Sequence, residues 1–374
     1  MRRVMVTSAV ALIPFLMAAA PKATVLETKV ITRDGSVYHG WPTLARTRDG
    51  ELLLVCSGGR EAHVCPFGRV DLFRSKDQGK TWTWPQTLLD GPLDDRDAGV
   101  VVTLKGTILV TTFTSLAYEP VLAAAEKKGN WKPADLQAWQ SARDRISPEA
   151  RKKDLGVWML RSTDQGITWS ERKDCVVNSP HGPVVLDDGR LLYAGKDLWR
   201  DGWVGFAEST DDGQSWKKLA QLPTRPGDDP KNYHELHAVD AGGGVLLAHI
   251  RNHNKPNTGE TLQSESTDGG KTWSLPHSIG VWGLPSHLLR LKDGRLLMSY
   301  GHRRNPLGNQ ARISSDKGKT WSDPIIISAD GPSGDLGYPS TVQMDDGSLI
   351  TAWYEVRPGS SKAVLRMARW KLEE

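Results

Sequence analysis

The sequence predicts an all-β fold, a six-bladed β-propeller with four-stranded blades, closed by an N-terminal strand and carrying a helical insertion in its second blade. Three observations lead there. An octad recurs five times, as Ser75-Lys-Asp77-Gln-Gly79-Lys-Thr-Trp82, Ser162 to Trp169, Ser209 to Trp216, Ser266 to Trp273 and Ser314 to Trp321. Turn glycines followed by apolar runs stand at Gly50, Gly106, Gly189, Gly243, Gly294 and Gly347, in steps of 56, 83, 54, 51 and 53 residues. Each unit reads strand, glycine turn, strand, strand, octad, strand, which is the content of one propeller blade.

The elements follow in chain order. Met1, Arg2 and Arg3 precede an apolar run to Ala20 with small residues at its end. That pattern predicts a signal peptide over residues 1–23, cut near Ala20 or Ala23, and a secreted or periplasmic protein. No later stretch is apolar enough for a transmembrane helix. The segment Thr24 to Ile31 alternates apolar and polar residues, and it is the natural donor of the strand that the sixth unit lacks. Pairing there removes an open sheet edge. Residues 24–374 then form one propeller, although a length prior of about 150 residues per domain suggests two.

Within each octad a hairpin turn is expected, with Asp accepting bonds from turn amides, Gly taking the positive φ and Trp packing on the sheet edge. The long step of 83 residues places a surplus in 117–154. Pro120 to Lys128 and Pro133 to Ile146 carry helix formers with little β-branching, so two short helices are expected, either as a lid over the propeller mouth or as surface decoration.

The formal net charge of +4 falls to +1 once Arg2, Arg3 and Lys22 leave with the leader, which gives nucleic-acid binding no support. Cys56, Cys65 and Cys175 have neither metal-ligand nor disulfide-scaffold spacing; a Cys56–Cys65 bridge is open, and at least one thiol stays free. No metal or other cofactor is called for, and the oligomeric state is not indicated.

Innermost propeller strands run in one direction, so residues near their starts converge on the axis. Counting back from the turn glycines finds Gly40, Asp97, His181, Glu235, His287 and Tyr338. Counting forward to the ends of the second strands finds Arg60, Lys196, Arg251, Arg303 and Glu355. Four of those five are cationic, which predicts a pocket for an anion and suits a carboxylate held by guanidinium forks.

The octads resemble the Asp-box, or BNR, repeat of the sialidases, where the box is structural and lies on the outer side of each blade. The resemblance covers essentially the whole chain after the leader. His-Glu235-Leu-His-Ala-Val, followed by Arg251, is similar to the segment carrying the sialidase glutamate and the second arginine of its substrate-carboxylate triad. Asp-Leu-Gly-Tyr338-Pro-Ser with Glu355 resembles the segment carrying the nucleophilic tyrosine and the glutamate that orients the first arginine. His181-Gly-Pro resembles the third-blade stretch.

Two departures stand out. His39-Gly40-Trp41-Pro42 occupies the place of the first triad arginine, with Arg60 as a candidate substitute. The usual first-blade aspartate has no counterpart, Glu61 and His63 being nearest. Arg303 and Arg304 are the candidates for the third arginine.

The resemblance implies an exo-glycosidase acting on a glycan or glycoconjugate, removing a terminal acidic sugar of the sialic-acid kind with retention. Tyr338 would be the nucleophile and Glu235 its base, with Asp97, Glu61 or His63 as the acid. Arg251, Arg303, Arg304, Arg60, Lys196, His181, His287, His39 and Glu355 would surround the substrate. A glycosidase for a uronic acid or another terminal sugar, and a non-catalytic carbohydrate-binding propeller, remain open.

Overall fold

Six four-stranded antiparallel sheets form a ring of blades in a computed structural model that describes residues 20–373. The first strands of the blades are Tyr38–Arg46, Asp94–Val102, Val184–Val185, Tyr233–Asp240, Ser286–Arg290 and Leu336–Gln343. Each blade then runs outward in sequence order, except the sixth, whose outer strand is Lys22–Val30. That strand pairs antiparallel with Ala363–Glu373, placing Lys22 opposite Glu373 and Val30 opposite Arg366. The expected leader lies outside the described residues apart from its last four, of which Lys22 and Ala23 already belong to this pairing. Among the described residues no helix is long and apolar enough to cross a membrane.

The octads join the third and fourth strands of five blades, at the end of the propeller opposite the starts of the first strands. In the third blade Asp211 accepts the Ser209 hydroxyl at 2.8 Å, the Ser215 amide at 2.9 Å and the Ser215 hydroxyl at 2.5 Å, while the Gly213 amide donates to Ser209 Oγ at 2.9 Å. In the second blade the hydroxyl and amide of Thr168, with the Ser162 hydroxyl, hold the Asp164 carboxyl down to about 2. The backbone needs two consecutive left-handed residues, Asp212 at φ 64° before Gly213 at 78°, so Gly alone does not carry the turn.

The octad tryptophan reaches further than its own sheet edge. Trp273 of the fourth blade stacks on Phe206 of the third, ring centroids 3.7 Å apart and planes 2° apart. Trp321 of the fifth blade donates to Gln263 of the fourth at 3.0 Å, and Trp216 of the third approaches the Met159 sulfur of the second at 3.3 Å. The octad glycines press on the same neighbours: a Cβ on Gly213 would come within 2.5 Å of Leu109. Each octad therefore fastens its blade to the preceding one.

The insertion holds three helices, not two: α1 (Tyr118–Lys128), α2 (Pro133–Asp144) and α3 (Pro148–Asp154). Ser147 caps α3 by accepting the Ala150 amide, with Pro148 in the first turn; α3 buries no side chain, so no apolar period announced it. Tyr118, Leu122 and Trp139 pack on Cys65 and the loop around it. Cys56, Cys65 and Cys175 are all free and buried. The Cys56–Cys65 bridge does not form, because Cys56 packs among first- and sixth-blade apolar residues while Cys65 lies beneath the inserted helices.

Asp211→Ala removes three acceptor contacts from an octad at the end of the propeller opposite the starts of the first strands. Thermal unfolding should show a loss of about 1–3 kcal/mol, a few degrees in Tm, with the folded variant's ligand binding equal to that of the unaltered chain.

Candidate active site

In four of the six blades the first strand slips register near its start. The slips fall between Gly40 and Thr43, Arg96 and Gly99, His234 and His237, and Gly337 and Ser340. At each slip a non-glycine residue is left-handed: Trp41 (φ 53°), Asp97 (50°), Glu235 (46°) and Tyr338 (54°). Such backbone costs about 1–3 kcal/mol per residue and persists where its surroundings enforce it. Here it aims four side chains into one cavity of about 340 Å³. The first-blade contributor is therefore Trp41 and not Gly40, since the bulge shifts the facing residue by one.

At the centre the Tyr338 phenol donates to Glu235 Oε1. Arg251 Nη1 lies 2.6 Å from Glu235 Oε2 and 3.4 Å from the Tyr338 oxygen, so one guanidinium touches both. Burial alone would push the Glu235 carboxyl up, but the Arg251 charge and the bonds from Arg251 and Tyr338 hold it below its ordinary value. Burial, with the charges of Glu235 and Asp97, pushes the Tyr338 phenol well above its own. The phenol proton accordingly stays on oxygen, shared in a hydrogen bond with Glu235.

Around this unit stand three more cations. Arg303 lies 5.9 Å over the Tyr338 ring, with its Nε donating to the Leu336 carbonyl at 2.9 Å. Lys196 donates to the Lys231 carbonyl at 2.8 Å. Arg96 stacks 4.4 Å over Trp41, with its Nε in a 3.9 Å ion pair to Asp94 Oδ2 and without a hydrogen-bond partner among the described residues. Asp97 faces them, its carboxyl pushed up to about 6 by burial and the nearby Glu235 charge against the pull of Arg96. His63 completes the rim, its Nδ1 3.0 Å from Asp335 Oδ1. Among the described residues no group of three or more His, Cys, Asp or Glu is placed to hold a metal ion.

Asp97, Glu235, Tyr338, Lys196, Arg251 and Arg303 thus meet in one cavity, and seven other expected site residues lie elsewhere. Arg60 is spent on a bidentate pair with Asp94, both side chains fully buried. Glu61 points out of the site and accepts Trp139 Nε1 of α2 at 3.0 Å. Arg304 is exposed against Trp282. Glu355 orients no site arginine: it accepts Trp353 Nε1 at 2.8 Å and Arg366 Nη1 at 2.6 Å. Strand alternation explains this, because the adjacent Tyr354 faces Tyr338 at 5.8 Å. The same alternation turns His39 away, onto Phe73 at 5.8 Å.

His181 and His287 line a different cavity, opening at the far end of the axis with His237. Their neutral rings stand 5.1 Å apart beneath the site, His287 pushed down to about 3 by burial. The inserted helices supply no lining residue, so they form no lid; they support the loop that carries His63.

Sequence counting missed Trp41, Arg96, His234 and His253. Arg96 directly precedes Asp97, and a bulge presents two consecutive residues to the same side, so knowledge of the bulge would have found it.

A model of the BNR repeat-like domain family matches residues 134–350. A sialidase of Bacteroides fragilis is 27% identical over 86% of this chain, and the chain spans 60% of that relative's length. A crystal structure of a protein of unknown function from Dyadobacter fermentans superposes with a TM-score of 0.75 at 24% identity, over 94% of this chain and 99% of that one. The NanB sialidase of Streptococcus pneumoniae superposes with a TM-score of 0.65 at 15% identity, over 92% of this chain and 70% of that one. At these identities the structural likenesses establish the fold.

Asp97 offers a test of the site's electrostatics. Because folding raises its pKa from 3.8 to about 6, its neutral form favours the folded state fully below pH 3.8, and that advantage is lost as pH rises through 6. Asp97→Asn removes the titration, so the variant should gain on the parent by about 2 kcal/mol between pH 4 and pH 7.5. Melting curves across that range check it, and parallel curves would contradict the raised value.

Proposed function

The chain belongs to the BNR repeat-like domain family of the sialidase propeller superfamily, and we propose that it is an exo-glycosidase. It removes a terminal acidic sugar, of the sialic-acid kind, with retention of configuration. One observation carries this: Tyr338 donates to Glu235, and Arg251 bridges both. The sialidases among its relatives support the acidic sugar.

When the anomeric carbon itself bears a carboxylate, an anionic nucleophile is repelled and a neutral phenol is not, which makes tyrosine the exception among glycosidase nucleophiles. A phenol is weak until its proton leaves. Glu235, kept ionised by Arg251, takes that proton as Tyr338 oxygen bonds to the anomeric carbon. Arg251, Arg303 and Arg96 are the guanidiniums available to hold the substrate carboxylate. Arg96 takes over from the arginine that Trp41 displaces, reaching the same cavity from the second blade.

The Trp41 replacement favours a second reading, a uronic-acid glycosidase, in which the carboxylate sits elsewhere on the ring and one clamp position changes. A panel of fluorogenic sialosides and uronides separates the two.

On the responsive substrate, Tyr338→Phe and Glu235→Gln should each lower kcat at least about a hundredfold. The double variant should lose little more, because groups acting as a unit are not additive. Near-parental turnover by Tyr338→Phe, or inversion at the anomeric carbon seen by NMR, excludes the tyrosine route. Arg96→Leu should lower kcat/KM about tenfold or more for the acidic sugar, the loss of one charge-assisted contact. An unchanged value would remove Arg96 from the clamp.

A further inference from the structure

The leaving oxygen needs a proton, and two cavity groups are placed to supply one. Asp97 sits in the wall beside Glu235, and its backbone amide is pinned to Ser57 Oγ at 2.9 Å. His63 stands at the rim with 48% of its side chain exposed. Its surroundings form a built network. Nδ1 lies 3.0 Å from Asp335 Oδ1 and 3.0 Å from the Tyr38 hydroxyl. Asp335 also accepts the Tyr38 hydroxyl at 3.0 Å and the Tyr354 hydroxyl at 3.0 Å. The Trp41 indole meets the imidazole edge-on at 4.9 Å, and Arg60 Nη2 holds the His63 carbonyl at 3.2 Å. Nε2 makes no hydrogen bond among the described residues, and it is the nitrogen left to serve the cavity.

We infer that the His63–Asp335 pair is the general acid and base of this site, with His63 Nε2 giving the leaving oxygen its proton and Asp335 positioning the ring. The inference rests on the glycosidase reading above. In the first step the Tyr338 oxygen bonds to the anomeric carbon, the glycosidic C–O bond breaks, the phenol proton passes to Glu235 and the Nε2 proton passes to the leaving oxygen. In the second, water bonds to the same carbon, the C–O bond to Tyr338 breaks, Glu235 returns its proton to Tyr338, and the now neutral His63 takes the proton of water.

Asp335 suits the task of steadying an imidazolium. Burial opposes its charge, yet the bonds from His63, Tyr38 and Tyr354 keep its carboxyl below the ordinary range. Oriented by its own donors, it fixes the tautomer with hydrogen on Nδ1 and leaves Nε2 to exchange its proton. The charged and titratable groups facing His63 are Asp335, Tyr38 and Asp97, with Arg60 behind its backbone.

The test is a series of glycosides of the responsive acidic sugar, with leaving groups from 4-nitrophenol to simple alcohols. An activated leaving group departs without a proton, whereas an alcohol needs one. His63→Gln should therefore lose at least about a hundredfold more kcat/KM on the alkyl glycoside than on the 4-nitrophenyl one. Asp335→Asn should move the alkaline limb of kcat to lower pH, a shift that a purely structural role would not produce. Equal loss across the series, with Tm unchanged, overturns the inference; leaving-group dependence in Asp97→Asn instead assigns the proton to Asp97. A parent chain that cleaves no acidic glycoside overturns the glycosidase reading itself, and the inference with it.

Discussion

Closing six sheets into a ring is the constraint on which the other features depend. A fan of separate blades would leave each inner strand free to drift, and the side chains at their starts would share no point. The pairing of Lys22–Val30 with Ala363–Glu373 completes the sixth blade, and the octads couple each blade to the one before. With that frame held, the starts of the first strands stay together, and the bulges at Trp41, Asp97, Glu235 and Tyr338 can be sustained against their backbone cost. Strain at the axis is offset by ordinary packing at the periphery.

The charge balance inside the cavity follows from the same geometry. Two carboxyls and four cations line one cavity, close enough to shift one another's protonation. Arg251 keeps Glu235 ionised, burial and the Glu235 charge keep Tyr338 protonated, and burial with the same Glu235 charge lifts Asp97 to about 6. Trp41 gives the first-blade side of the cavity an aromatic face, and Arg96 of the second blade stacks on it, so a cation still stands in that wall.

The inserted helices act at one remove. Trp139 holds Glu61, and Tyr118, Leu122 and Trp139 bury Cys65, so the loop from Arg60 to Cys65 is fastened on its outer side. Asp335 and Trp41 hold His63 on its inner side. A loop that would otherwise be a mobile rim is gripped between the helices and the propeller.

Blade number, blade content and the order of elements were legible in the sequence because they are written as local repeats: Asp, Gly and Trp at set spacing, and turn glycines about one blade apart. The central unit of Tyr338, Glu235 and Arg251 was legible for a related reason, since Tyr338 and Glu235 share the first-strand phase of the repeat and Arg251 the second-strand phase. Arg60 and Glu355 had the right phase but found nearer partners in Asp94 and Arg366. Gly40 gave way to Trp41, and Arg96 came into view, only through bulges that shift a strand by one residue. His63 was legible as a candidate beside Glu61, but its partner Asp335, 272 residues away in sequence, was not. Which face a side chain takes and which charge reaches it first are settled by contacts across blades, and a periodic count along one chain carries no information about them.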